Sequence, residues 1–264
     1  MGRFLSVDPL AGDYAGWSAY NYVLGNPVRL VDPDGMSATP PNDYFDKNGN
    51  YIDSDNRGNN IRIVTDPNNF DIKSNKALDS SIEIDGIALS DEAIGKIGGH
   101  YLEKLGRSDL FARGLSQAAF NFMAVTQGDG SPEFVRGGYM YFKNPVISIS
   151  TGGFADKGFG KISANLRDVN DFTNALYHET LHFNAYENLG NGLYRDVVPM
   201  GDNWQLGHVQ MHNLRMTHSS WQGTTDVFKR NHDVFTNKAL KQIKDPKILE
   251  FAKFSIEWIK KALK

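Results

Sequence analysis

The chain has no cysteine in its 264 residues. That excludes disulfides, thiolate metal sites and a cysteine nucleophile, so any metal must be held by His, Asp or Glu. No apolar run approaches the length of a membrane span, and no signal-peptide pattern opens the chain. Charge of one sign is not in excess either. The formal net charge of −3 gives no general reason to expect nucleic acid or an anionic membrane as partner. What is present is a hydrophobic content of 40% and an aromatic content of 12%, enough for a packed core. Gly 26 and many Asn-Gly, Asp-Gly and Gly-Gly pairs point to a loop-rich α+β protein rather than a helical bundle.

The chemistry concentrates in Tyr177-His178-Glu179-Thr180-Leu181-His182-Phe183, a His-Glu-x-x-His pattern. Two histidines four apart lie on one face of a helix and can reach one ion, and the glutamate beside the first then points at what the ion holds. A helix is expected here. Asp168 or Asn170 can cap it, Asp171 suits the positive end of the dipole, and Leu189-Gly190 is the expected stop before an Asn191-Gly192 turn. Phe172, Leu176, Glu179, Phe183 and Tyr186 follow a four-three-four-three spacing, with Ala175, His178, His182 and Ala185 as the adjacent stripe, which sets the histidines beside an apolar face on a cleft floor.

Upstream, Tyr44 to Ile52 reads as a hairpin about Asn48-Gly49. Asp46, Asn48, Asn50, Asp53 and Asp55 resemble a calcium loop only in part, because no glycine stands sixth and no glutamate closes it. Strands are expected at 61–64, 81–85, 139–142, 146–149 and 162–166, and helices at 91–105 and 109–124. The glycine-rich 152–160 matches no phosphate-binding pattern. The 162–166 strand has an edge that could hold an extended peptide over the histidines. A C-terminal helix follows Asp245-Pro246, with Ile248, Ala252, Ile256, Ile259 and Leu263 as its buried stripe.

Zinc wants a third protein ligand. Candidates are Glu187, Asp202, His208, His212, His218 and His232. Glu187 would lie on the far side of the metal helix, and nothing orients Asp202. The best segment is Gly207 to Met216, a helix that would present His208 and His212 one turn apart. His208 is the expected ligand and His212 the substitute candidate. His218, Tyr194 or His232 could donate to a developing oxyanion.

Two resemblances set the expected function. Arg3-Phe4-Leu5-Ser6-Val7-Asp8-Pro9, Tyr20-Asn21-Tyr22 and Pro27-x4-Asp32-Pro33-x-Gly35 resemble the RHS repeat-associated core segment of bacterial polymorphic toxins. That resemblance implies that residues 1–36 end such a core, that 37–60 are linker and hairpin, and that 61–264 form a secreted or surface-delivered effector. In several members the core cuts the chain just past this element, and Asp32 and Asp34 lie in the matching stretch. Lacking the shell, this chain is not expected to cut itself. The His178–His182 pattern with a second histidine helix is similar to gluzincin-type metallopeptidases, although histidines stand where a ligand glutamate and an orienting acid are common there. The expected fold is therefore α+β and zincin-like, a small twisted sheet packed with helices. The expected function is a zinc-dependent (Zn2+) peptidase toxin using Glu179 as general base on a protein or peptide substrate, with a cognate immunity protein as a possible partner. A metal-dependent nuclease toxin and a catalytically dead binding module are the competing readings.

Overall fold

The computed structural model describes residues 42–55, 57–115, 123–127, 134–150 and 167–263. The hairpin forms as expected, from β1 (Asp43–Phe45) and β2 (Tyr51–Ser54). Its calcium-like residues are spent on the turn and its neighbours. The Asp46 carboxylate accepts the Asn48 and Asn50 N–H groups, both at 2.8 Å, while Asp55 accepts the Tyr44 hydroxyl at 2.6 Å. Gly49 has φ +79°, and a Cβ there would lie 2.1 Å from the Ala93 carbonyl oxygen, so only glycine lets this turn approach the next helix.

β1 is the junction of the first sheet. It pairs antiparallel with β2 and parallel with β3 (Ile61–Val64), and β3 pairs with β4 (Ser81–Glu83). A short helix, α1 (Lys76–Asp79), precedes β4. Helix α2 (Asp91–Lys104) starts where the Ser90 hydroxyl accepts the Ala93 N–H, and Ile94, Ile97, Tyr101 and Leu102 are its buried residues. Gly98 is there because a Cβ would meet Ile149 Cδ1 at 2.7 Å and Ala112 Cβ at 2.8 Å; the sheet beneath presses against this helix.

That sheet corrects one expectation. The helix expected at 109–124 is absent where the chain is described. Ala112–Leu115 is a strand, β5, and Met123–Gln127 another, β6. Both flank β9 (Pro145–Ser150), β5 in parallel and β6 antiparallel. β9 has two edges of backbone donors and acceptors to satisfy, and that pairing outweighs the helical spacing of 110–122. Phe111, just before β5, is 72% exposed.

The third sheet runs β10 (Tyr186–Gly190), β11 (Leu193–Asp196), β8 (Tyr139–Lys143) and β7 (Phe134–Arg136), all antiparallel. The two strands expected about Lys143-Asn144-Pro145 thus exist but serve different sheets. The 152–160 loop and the 162–166 strand, with its peptide-holding edge, lie outside the described residues.

The remaining helices are α3 (Val169–Asn184), α4 (Asp202–Leu214), α5 (Asp226–Gln242) and α6 (Pro246–Ala262). The core joins Phe45, Ile61 and Ile63 to α2, to Ile147 and Ile149 of β9, and to Phe172, Ala175 and Leu176 of α3. A smaller cluster packs Val209 of α4 against Ala239 and Ile243 at the end of α5 and Ala252 of α6. Among the described residues the architecture is α+β, with three small sheets where one was expected.

Candidate metal centre

Helix α3 is fixed at its start and ends early. The Asp168 carboxylate accepts the Asn170 and Asp171 N–H groups at 2.8 and 2.9 Å, and Asn59 donates to its other oxygen. Asp171, expected only to suit the dipole, accepts the Thr225 N–H at 2.8 Å and the Thr225 hydroxyl at 2.7 Å, which ties α3 to the cap of α5. The helix ends at Asn184, not at Leu189. Residues 186–190 are claimed by the hairpin that Asn191 (φ 53°) and Gly192 (φ 74°) turn.

The apolar stripe of α3 faces the core, and its other side faces α4. There His178 is 7% exposed, and its Nε2 lies 3.3 Å from His182 Nε2. The His178 ring sits 4.5 Å from His212 and the His182 ring 4.9 Å from His208, centroid to centroid. Both expected pairs of histidines therefore meet across the α3–α4 contact.

His208 Nδ1 lies 3.3 Å from the Trp204 carbonyl oxygen. A carbonyl only accepts, so Nδ1 carries the proton and Nε2 keeps its lone pair. The Trp204 ring lies 4.0 Å away, with its own N–H donated to Asp196 at 3.0 Å. His212 Nδ1 is buried without a partner among the described residues, as is His178 Nδ1. His232 supports this helix from behind, donating from Nε2 to the His212 carbonyl at 2.8 Å.

Burial shapes the charges. It holds His178 well below the usual imidazole range, with the Arg215 charge adding to the effect, and it lowers His182 to about 3. His212 is lowered by burial and then by Arg215, and His208 by burial. Neutral imidazole is the metal-binding form. Burial raises Glu179 to about 7, and the Arg215 charge partly opposes that rise.

Arg215 and Asn174 are the residues that sequence reasoning missed. Arg215 is 7% exposed; its Nε donates to Asn174 Oδ1 at 2.8 Å, and its Nη2 has no partner among the described residues. Asn174 returns the contact from Nδ2 to the Arg215 carbonyl at 3.0 Å. The available signal was spacing. His208, His212 and Arg215 follow a four-three pattern, and Asn174 stands four before His178.

The other expected candidates lie elsewhere. Glu187 is on β10 rather than on the metal helix, paired with Arg195. Asp202 accepts the Lys244 and Asp245 N–H groups at 3.0 and 2.6 Å. His218 stacks on Tyr177 at 4.4 Å and accepts the Ser220 N–H at 3.2 Å. The Tyr194 hydroxyl lies 3.5 Å from Asn188 Nδ2, out on the hairpin.

Does the donor set fit a divalent ion? Two nitrogens on a tetrahedral zinc at about 2.0–2.1 Å stand about 3.3–3.4 Å apart. The His178–His182 pair, at 3.3 Å, fits that edge. Among the described residues no group of three or more His, Asp or Glu side chains is assembled to hold an ion. The cluster thus offers a matched pair with two further imidazoles against it.

A segment of 45 residues is 51% identical to the toxin subunit YenC2 of Yersinia entomophaga. It covers 17% of this chain and only 4% of that protein's length. No solved structure matches. The sequence model of the family described as metallopeptidase toxin 2 matches residues 43–263, nearly the whole described region. The chain belongs to the metallopeptidase toxin 2 family, in which a metal cofactor and a protein substrate are implied by the activity the family is named for.

Proposed function

We propose that the chain is a zincin-like peptidase effector that cuts peptide bonds at the His178–Glu179–His182 face of α3. The ion it uses is zinc, held by His178, His182 and His208, with His212 as the substitute for the third position. The observation that carries this reading is the 3.3 Å imidazole pair with the buried Glu179 beside it. His208 is preferred over His212 because its Nδ1 already donates to the Trp204 carbonyl, the outer contact that orients a ligand histidine.

A zinc ion bound there supplies Lewis acidity, which acidifies a water and polarises the scissile carbonyl. The side chains handle the protons. Glu179 takes one from the attacking water as the new C–O bond forms, then delivers it to the amide nitrogen as the C–N bond breaks. Its pKa of about 7 suits both halves of that transfer. The Arg215 charge keeps the buried carboxyl from rising further.

The setting is part of the same proposal. Residues 1–36 end an RHS repeat-associated core, 37–60 are linker and hairpin, and 61–264 are an effector secreted or displayed as part of a larger protein, with a cognate immunity protein as partner. Two measurements test the site. Chain purified without chelator is expected to hold near-stoichiometric zinc, and His178→Ala is expected to lose it. Glu179→Gln is expected to keep the zinc and lose turnover of a peptide substrate by about 10²–10⁴-fold. Zinc retained by His178→Ala, or turnover retained by Glu179→Gln, would sink the assignment. Cleavage of RNA or DNA in place of peptide would make the chain a nuclease.

A further inference from the structure

Helix α6 carries more than the stripe that buries it. Ala252 and Ile259 are buried, with Ile248, Leu249 and Ile256 partly buried beside them. Turned away from that stripe are Phe251, Phe254 and Trp258, 52%, 62% and 63% exposed. Steps of three and four residues set the three rings in one line along the helix. Lys247, four residues before Phe251, and Lys261, three after Trp258, continue the same line and are exposed. The ridge therefore reads Lys, Phe, Phe, Trp, Lys. The face between the ridge and the buried stripe is charged, with Glu250, Lys253, Glu257 and Lys260.

The net charge conceals this end of the molecule. Residues 238–264 hold eight lysines against three acids, a balance of +5, in a chain whose total is −3. Large aromatic rings in a row on an exposed helix face, with ammonium groups at both ends, suit the boundary between lipid headgroups and acyl chains. The rings settle at that boundary and the lysines reach the phosphates. A ridge needs no matching groove in a fluid interface, which favours a lipid surface over a folded acidic protein.

We propose that the Lys247–Lys261 ridge docks the chain on an anionic lipid surface. It would lie on that surface, since no helix among the described residues is long and apolar enough to cross a membrane. The proposal does not depend on the metal centre, and its test is run with chelator present.

The full chain is spun with vesicles of equal parts phosphatidylglycerol and phosphatidylcholine, and with phosphatidylcholine alone. It is expected to sediment with the first and stay in solution with the second. Partition is expected to fall about tenfold or more at high salt and in the double variant F254S/W258S. The thermal melt of that variant is expected to match the parent, because neither ring packs in a core cluster. Any of three results overturns the proposal. One is no partition onto anionic vesicles, including the case where polyglutamate-coated beads capture the chain instead. Another is equal partition by a folded double variant. The third is a vesicle-free dimer that the double variant dissolves, which would make the ridge an interface between copies.

Discussion

The two sides of helix α3 follow opposite rules. One side places Phe172, Ala175 and Leu176 in the main core, against Tyr101 of α2 and close to the first sheet. The other side sets Asn174 against Arg215 and His178 against the histidines of α4, and Glu179, next to His178 in the chain, is buried as well. On the apolar side burial is favourable in itself. On the polar side burial has a cost, and the cost is visible. His178 Nδ1 and, across from it, His212 Nδ1 and Arg215 Nη2 are buried without hydrogen-bond partners among the described residues. A native fold keeps such atoms few, because each costs desolvation without a compensating bond.

The largest effect expected from separating the two sides is on the core. Phe172 is fully buried with its ring edge-on to Tyr101 at 5.1 Å. Phe172→Ala is expected to cost about 3–5 kcal/mol of stability, read as a lower denaturant midpoint. The surviving folded fraction should keep its zinc and its turnover per molecule. A loss of zinc affinity without a loss of stability would show that the two sides are not separable.

Next in size is the polar side itself. Arg215→Met removes the one charge that opposes the rise of Glu179 above its ordinary range. The pKa of Glu179 should then climb beyond about 7, leaving less carboxylate at neutral pH. Turnover at pH 7 is expected to fall about fivefold for a rise of about one pKa unit, and to recover in part as the assay pH is raised. Arg215→Lys should retain more activity than Arg215→Met. If both variants lose activity equally at every pH, Arg215 is structural.

How far could the sequence be read? Local signals were enough wherever the chain answers locally. Ser90, Asp168 and Asp245 each cap the helix expected to follow, and Asn48-Gly49 and Asn191-Gly192 each turn a hairpin. The His-Glu-x-x-His helix was legible for the same reason. Failure came where a distant partner decides. The spacing of 109–124 suits a helix, but β9, distant in the sequence, pairs with Ala112–Leu115 and with Met123–Gln127 as strands. Leu189 and Gly190 look like a helix end until Leu193–Asp196 pairs back on them. Arg215 could not be weighed without knowing that α4 lies against α3. The choice between His208 and His212 is a problem of the same kind, since the contact of His208 with the Trp204 carbonyl is visible only in the structure.

The smallest effect is the most general, because it sums over the polar side. His178, His182, His208, His212 and His232 are all held below the usual imidazole range by burial, His182 to about 3 and His232 to about 4. In the unfolded chain each would titrate near 6.5. Below that pH the unfolded chain binds protons that the folded chain refuses, so the stability these groups contribute is present above about 6.5 and is lost as pH falls. Glu179 acts in the opposite sense. Its folded pKa of about 7 lies above the ordinary 4.5, so its contribution is fully present below 4.5 and is lost as pH rises towards 7. Five histidines outweigh the three carboxyls that burial raises, Glu179, Asp168 and Asp171, and the melting temperature of the metal-free chain is expected to drop by several degrees between pH 7 and pH 5. Replacing His178 and His212 together by Gln should flatten that slope, while Phe172→Ala should lower the whole curve without changing it. A slope that survives the double replacement would place the acid sensitivity elsewhere, with Asp168 and Asp171, raised by burial to about 7 and about 6 at the start of α3, excluded as its source by their sign.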